Sequence, residues 1–164
     1  YNGCDALNRA VFDLAPGAEL ITWDVTALGL PSSDLAFKQG HFQQHLEIPG
    51  VWLERGKVQC SDARWLNSPL GLAGHMCFAS LVFACGSPIA DKRVESALET
   101  ARSIIEASPL KLQAGITCAH PQVLVMRVMS PLVEPTMDLL KQVWAAWRHA
   151  LWQLPSEPPR IWSV

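Results

Sequence analysis

The fold depends on the stretch MCFASLVFAC, residues 76–85 of this 164-residue chain. Apolar residues occupy both of its alternating sets of positions, so neither face of a strand formed here suits contact with water. We therefore predict a central strand covered on both faces. Gly86, Ser87 and Pro88 follow it and mark its end.

Alternating apolar and polar residues before this run predict further strands. In residues 19–28, ELITWDVTAL, one face carries Ile21, Trp23 and Val25, and we expect that face to be the buried one. Further strands are predicted at residues 41–48, 51–59 and 62–66.

Helical spacing follows in the second half of the chain. Apolar residues recur every three or four positions in 91–107 and 135–152, which predicts two helices, and a strand hairpin is predicted between them at 112–117 and 123–129. The strands come first and both helices come late, without strict βαβα alternation. This order favours a mainly β, α+β fold over a doubly wound sheet.

The last 31 residues, Glu134–Val164, combine the second helix with a proline-rich tail. The segment holds four of the seven tryptophans and ends in PPRIWSV. Tryptophan and arginine are typical of protein interfaces, and a tail packed back on its own domain is the alternative, which we favour for Trp162. The residues considered as partner-binding are Trp147, Arg148, Arg160 and Trp162.

The composition limits the class of protein. The length of 164 residues predicts a single domain over 1–164. Hydrophobic residues make up 49% and charged residues 17%, which leaves ample core material. The formal net charge of -2 gives no electrostatic reason to propose nucleic acid or an anionic membrane as partner. Five scattered cysteines without a CxxC pair favour free thiols and a reducing cytoplasm.

Motifs for catalysis are missing from the sequence. It has no phosphate loop, no GxGxxG and no GxSxG, and Glu95, Glu99 and Glu106 are spaced along the solvated side of a predicted helix. We therefore predict no catalytic residues and a protein that is not an enzyme.

One hypothesis for two pairs of histidine and cysteine residues is a metal site. His75 and Cys77 are two residues apart, as are Cys118 and His120, so each pair would share one face of a strand. If the two segments were adjacent, the four side chains could converge on a transition metal. The alternative is that the cysteines are simply buried.

Three stretches resemble the UreD (also called UreH) family of urease accessory proteins. They are LAPGAELITWDVTALGLP at 14–31, LNSPLGLAGH at 66–75, and WAAWRHALWQLPSEPPRIWSV at 144–164. Their order and spacing carry the resemblance, and the Pro-Arg-Ile-Trp ending is its strongest part.

The resemblance implies a non-enzymatic scaffold with a β-helix-like, stacked-sheet body, of which this chain would be the later portion. It also implies binding to the urease apoprotein and UreF, contact with the GTPase UreG through UreF, and no tightly bound cofactor. Ni²⁺ would be in transit through an internal channel. The alternative is a generic β-rich interaction domain with no urease role.

Overall fold

The computed structural model describes residues 1–163, so Val164, the end of the predicted tail, lies outside the described residues. Strands dominate the first half and the two long helices lie in the second, as the sequence order predicted. The strands are β1 (Cys4–Val11), β2 (Glu19–Ala27), β3 (Gly40–Ile48), β4 (Trp52–Gln59), β5 (Cys77–Cys85), β6 (Ala114–His120) and β7 (Val123–Ser130). The helices are α1 (Ala63–Asn67), α2 (Asp91–Ala107) and α3 (Val133–Trp152).

The strands form two sheets, which we call sheet A and sheet B. Sheet A has the order β1-β3-β4, and sheet B has the order β2-β5-β7-β6. β1 and β3 are parallel neighbours, whereas the other strand pairs are antiparallel. Since β2 belongs to sheet B, the chain passes from sheet A to sheet B and back within its first three strands.

Strand β5 is central and covered on both faces, as its apolar sequence predicted. It pairs with β2 and β7 inside sheet B. Leu81 and Phe83 are fully buried in the cluster formed with α2 and α3, and Val82 and Ala84 pack on the opposite side with Ile48 of sheet A. The structure therefore has three layers: sheet A, sheet B, and helices α2 and α3.

Helix α3 supplies much of the core on the helical side of sheet B. Leu140, Val143 and Trp147 are fully buried, and the Trp147 indole Nε1–H donates to the carbonyl oxygen of Ala97 in α2 at 3.0 Å. This bond satisfies the polar atom of a large buried ring. No helix within residues 1–163 is long and apolar enough to cross a membrane.

The strand predicted at residues 62–66 is wrong, because this stretch is the short helix α1. The Asp62 carboxylate accepts a hydrogen bond from the Trp65 backbone N–H at 2.9 Å and caps the helix start. The chain then turns back so closely that a Cβ on Gly71 would lie 1.9 Å from the Trp65 carbonyl oxygen. Capping and this close turn override the strand-like composition.

The β-helix-like body expected from the family resemblance is only partly seen. Sheets A and B are stacked, but in residues 1–163 both are open, with β1 and β4 at the edges of one and β2 and β6 at the edges of the other. The described part of the chain is therefore an α+β fold with two open sheets, and it does not form a closed coil.

Candidate functional site

A polar layer crosses the space between the two sheets. Residues that lie opposite one another on neighbouring strands share a sheet face. One such row on sheet B faces a second row on sheet A, because side chains of the two rows are joined by hydrogen bonds. The row on sheet B is Asp24, Ser80, Arg127 and Gly115, and the row on sheet A is Asn8, Gln44 and Gly56.

Asp24 joins the two sheets at one end of this layer. Its carboxylate accepts hydrogen bonds from the Gln44 side-chain amide at 2.8 Å and from the Asn8 side-chain amide, both on sheet A. The Thr26 hydroxyl donates to the same carboxylate at 3.4 Å. Burial raises the pKa of Asp24, although the bonds from Asn8 and Thr26 oppose the rise.

Glu54 joins the sheets at the other end of the layer. One carboxylate oxygen accepts a hydrogen bond from the Ser80 hydroxyl at 2.9 Å. The other accepts from the Arg127 Nε and Nη2 at 3.1 and 2.8 Å. The Glu54 side chain is 19% exposed and the Arg127 side chain 60% exposed, so this ion pair lies at the opening of the layer.

Three cavities meet at the polar layer. A cavity of about 610 Å³ lies beside Glu54, Ser80 and Arg127. Ser80 also lines a second cavity of about 230 Å³, together with Asn8 and Asp24. Asn8 and Asp24 border a third, of about 530 Å³. A series of spaces lined by carboxylates, amides and a hydroxyl therefore runs between the sheets.

The structure does not bring the four predicted metal ligands together. Cys77 lies opposite Ser130 at one end of sheet B, whereas Cys118 lies opposite Leu124, whose other neighbour is Phe83. The six residues from Cys77 to Phe83 correspond to about 20 Å of strand. The segments carrying His75–Cys77 and Cys118–His120 are thus apart, and residues 1–163 contain no group of three His, Cys, Asp or Glu side chains placed to hold a metal.

The C-terminal tail folds back on the body of the chain. The Trp162 ring lies 4.8 Å from the Trp23 ring of β2 and 4.8 Å from the Trp144 ring of α3. The Lys141 ammonium donates to the Trp162 carbonyl oxygen at 3.4 Å. Of the two arrangements considered for Trp162, the structure has the inward one.

The other residues considered as partner-binding have different positions. Trp147 is fully buried, so it could affect a partner only through the shape of α3. Arg148 donates from Nε to the Pro155 carbonyl oxygen at 3.0 Å and holds the start of the tail. Arg160 is exposed, and its neighbour Ile161 is 78% exposed, so this turn offers charge and apolar surface together.

Comparison with known proteins decides the family. The family model described as UreD urease accessory protein matches residues 1–163. This chain belongs to the UreD family. A urease accessory protein UreD of Albidiferax ferrireducens is 56% identical over 164 residues, and those of Leptothrix cholodnii and Methylibium petroleiphilum are 41% and 38% identical over 164 and 177 residues. All of this chain is covered in each case, but only 59%, 59% and 60% of the relative, so the chain spans about three-fifths of the length of these curated relatives.

Two of the three stretches that carried the UreD resemblance meet in space. Residues 14–31 contain β2 and its Trp23, and residues 144–164 contain Trp144 and Trp162. The contacts of the Trp162 ring with Trp23 and Trp144 therefore join these segments. The tryptophan of the UreD-like ending has a packing role within this chain.

The polar layer was missed from the sequence, although it left a signal there. Ser80 and Arg127 each interrupt an apolar stretch of their strand, and Asp24 is a carboxylate on the polar face of the alternating strand β2. We expected only the Ile21 face of β2 to be buried, but Thr26 on the other face is 8% exposed, because sheet A covers it. An alternating pattern does not show that a second sheet covers the polar face.

Proposed function

We propose that the full-length protein is a non-catalytic scaffold in urease maturation. It binds the urease apoprotein and recruits UreF and, through UreF, the GTPase UreG for nickel delivery. The observation that supports this function is the match to the UreD family over residues 1–163. The chain spans 59% of a relative such as that of Albidiferax ferrireducens, so the activity and partners are proposed for the whole protein.

The cytoplasm is the proposed location, and the five cysteines are free thiols, as in a reducing compartment.

The proposed path for Ni²⁺ is the polar layer between the sheets. Asp24 and Glu54 offer carboxylate oxygens, and the Ser80 hydroxyl lies between them on β5. Imidazole suits Ni²⁺, whereas carboxylate oxygens are better suited to Mg²⁺, Ca²⁺ and Mn²⁺. Spaced carboxylates would therefore hold Ni²⁺ weakly, as a path requires for an ion in transit.

The β-helix-like body is proposed for the longer protein. Its support is the path of the first three strands, which runs from sheet A to sheet B and back. This path places β3 parallel to β1, which is the geometry of one coil of stacked sheets.

The turn at Arg160 and Ile161 is the proposed partner surface of the C-terminal segment. Both residues are exposed, whereas Trp162 anchors the turn against Trp23 and Trp144. In this proposal Trp147 and Arg148 act indirectly, because they position the helix and tail that present Arg160.

A pull-down with purified urease apoprotein and purified UreF tests the scaffold function. The full-length protein should recover both proteins, and recovery of neither would overturn the proposal. Deleting the gene distinguishes the scaffold from the alternative. If the protein is a generic interaction domain with no urease role, the deletion would leave urease activity unchanged.

The nickel path has its own test in an Asp24→Ala variant of the full-length protein. We expect lower nickel-dependent activation of urease while capture of the urease apoprotein and UreF persists. Asp13→Ala is the matched control because Asp13 is an exposed carboxylate away from the polar layer. Equal activation by both variants would exclude Asp24 from the path.

A further inference from the structure

One of these cavities opens between two sheet edges. Strand β4 is the last strand of sheet A and β6 is the last strand of sheet B. The cavity of about 610 Å³ is lined by residues of both. We call it the β4–β6 groove. In residues 1–163 no strand pairs with the outer side of β4 or β6, so their outward backbone groups are available to another chain.

Two glycines face this groove from opposite sides. Gly56 of β4 lies opposite Gln44, and Gly115 of β6 lies opposite Arg127, so both belong to the inner rows described above. Neither has a positive φ, and a Cβ added to either would meet no atom within 4 Å. Neither turn geometry nor crowding within this chain therefore requires glycine here.

Glycine inside a strand weakens the strand, and it often marks a place where a ligand or another backbone approaches closely. Here two such glycines line the same groove, one on each edge strand. Their shared position points to an occupant whose backbone comes close to both edges.

Charge and apolar surface define the chemistry of that occupant. Within the groove the single carboxylate of Glu54 is paired with Arg127. Arg55 and Lys57 flank Gly56 on the edge strand β4, and because successive side chains alternate, their exposed side chains lie on the face of sheet A opposite to Gly56. The lining also includes apolar side chains such as Phe78. A segment paired with β4 would place acidic side chains beside Arg55 and Lys57 on one face and apolar side chains in the groove on the other, which complements both features.

We propose that the β4–β6 groove receives an extended, acidic segment of a partner protein, which pairs with an edge strand and lies against Gly56 and Gly115. Added strands of this kind gain affinity from backbone hydrogen bonds and specificity from side-chain pockets. The inference rests on the proposed scaffold function, and it adds the surface and the kind of segment that such a scaffold would capture.

Filling the glycine positions tests the groove directly. Gly56→Val and Gly115→Val, made in the full-length protein, should leave thermal unfolding unchanged or raise its midpoint, because valine favours strands and has open space at both positions. Capture of purified urease apoprotein or of purified UreF should weaken at least tenfold. Gln59→Val is the matched control, since Gln59 is an exposed residue of β4 that does not line the groove.

Capture of both proteins at wild-type strength by folded valine variants would overturn the inference and leave the scaffold function standing. Loss of both captures by the wild-type protein would overturn the scaffold function instead. The two failures are thus distinguishable.

A cross-linking experiment identifies the occupant without depending on the valine variants. Thr117 is an exposed residue of β6 that lines the groove. With benzoylphenylalanine in its place, the full-length protein is irradiated together with purified urease apoprotein and UreF. Cross-links to an acidic segment of either partner support the inference. Cross-links only within the same chain, only to a second copy, or to neither partner overturn it.

Discussion

The two faces of sheet B differ in what covers them. The face toward α2 and α3 is closed and apolar, with Leu81, Phe83 and Leu124 fully buried there. The face toward sheet A carries the polar layer of Asp24, Ser80 and Arg127 and borders three cavities. Both faces arise from the same strands, because successive side chains point to opposite sides. The comparison indicates that stability is concentrated on the helical face and that the other face is available for binding.

Two carboxylates of β2 show the same contrast. Glu19 lies on the helical side, where Arg93 donates to both of its oxygens at 2.6 and 3.1 Å and the Trp152 indole N–H also donates. Hydrogen bonding from Arg93 lowers the pKa of Glu19, partly opposed by burial. Asp24 lies on the other face, and burial raises its pKa. Glu19 is therefore stabilised as an anion by folding, whereas ionised Asp24 is not.

The largest expected effect is on the helical face. Trp147→Ala should lower the free energy of unfolding by about 3–5 kcal/mol, since it leaves a cavity and removes the indole hydrogen bond to the Ala97 carbonyl oxygen. Chemical denaturation of the full-length protein measures this. Trp144→Ala is the control, because Trp144 is only half-buried and should cost less. An unchanged unfolding midpoint for Trp147→Ala would contradict the conclusion that stability is concentrated on the helical face of sheet B.

The Glu19–Arg93 pair should have the next largest effect. Glu19→Gln removes a charge-assisted pair and should cost about 1–3 kcal/mol at pH 7. The folded-state pKa lies below the ordinary value of 4.5. The Glu19 contribution is therefore complete above pH 4.5 and is lost as the pH falls through the folded-state pKa. Urea denaturation across acid pH measures it, with exposed Glu95→Gln as control. A cost that persists unchanged at the lowest pH would contradict the assignment.

Asp24→Asn should have a smaller effect with the opposite pH dependence. Because the folded-state pKa is raised above 3.8, ionisation of Asp24 costs stability as the pH rises through this range. The free energy of unfolding of the variant should therefore rise relative to that of the wild type between acid and neutral pH. At pH 7 the two values should differ by less than about 1 kcal/mol. Denaturation at several pH values checks the sign. A large loss at pH 7 would mean that the polar layer stabilises the fold as Glu19 does.

The smallest effect on stability is expected at the tail. Arg160→Ala should leave the unfolding midpoint unchanged, because Arg160 is exposed. It should weaken capture of UreF or of the urease apoprotein, measured by pull-down with the full-length protein. Exposed Arg102→Ala on α2 is the control. Equal capture by both variants would remove Arg160 from the proposed partner surface.

Much of the fold was predictable from local patterns. The apolar run at β5, the hairpin of β6 and β7, and the spans of α2 and α3 follow from periodicity and turn residues. The stretch at 62–66 was mistaken for a strand because five residues carry too little periodicity, and the capping by Asp62 decided its form. The predicted cluster of histidines and cysteines failed to assemble because it depended on which strands are neighbours.

The sequence by itself determined most of the elements and their order, although not β1 or α1, and it determined the family and the side chains on the core-facing stripes of α2 and α3. Only the tertiary structure decided that sheet A covers the polar face of sheet B, which brings Asp24, Gln44, Ser80 and Glu54 into one layer. It also decided that Trp162 lies between Trp23 and Trp144. The physical reason is that local periodicity specifies which way a side chain points. What it meets depends on strand pairing and sheet stacking between residues distant in the chain.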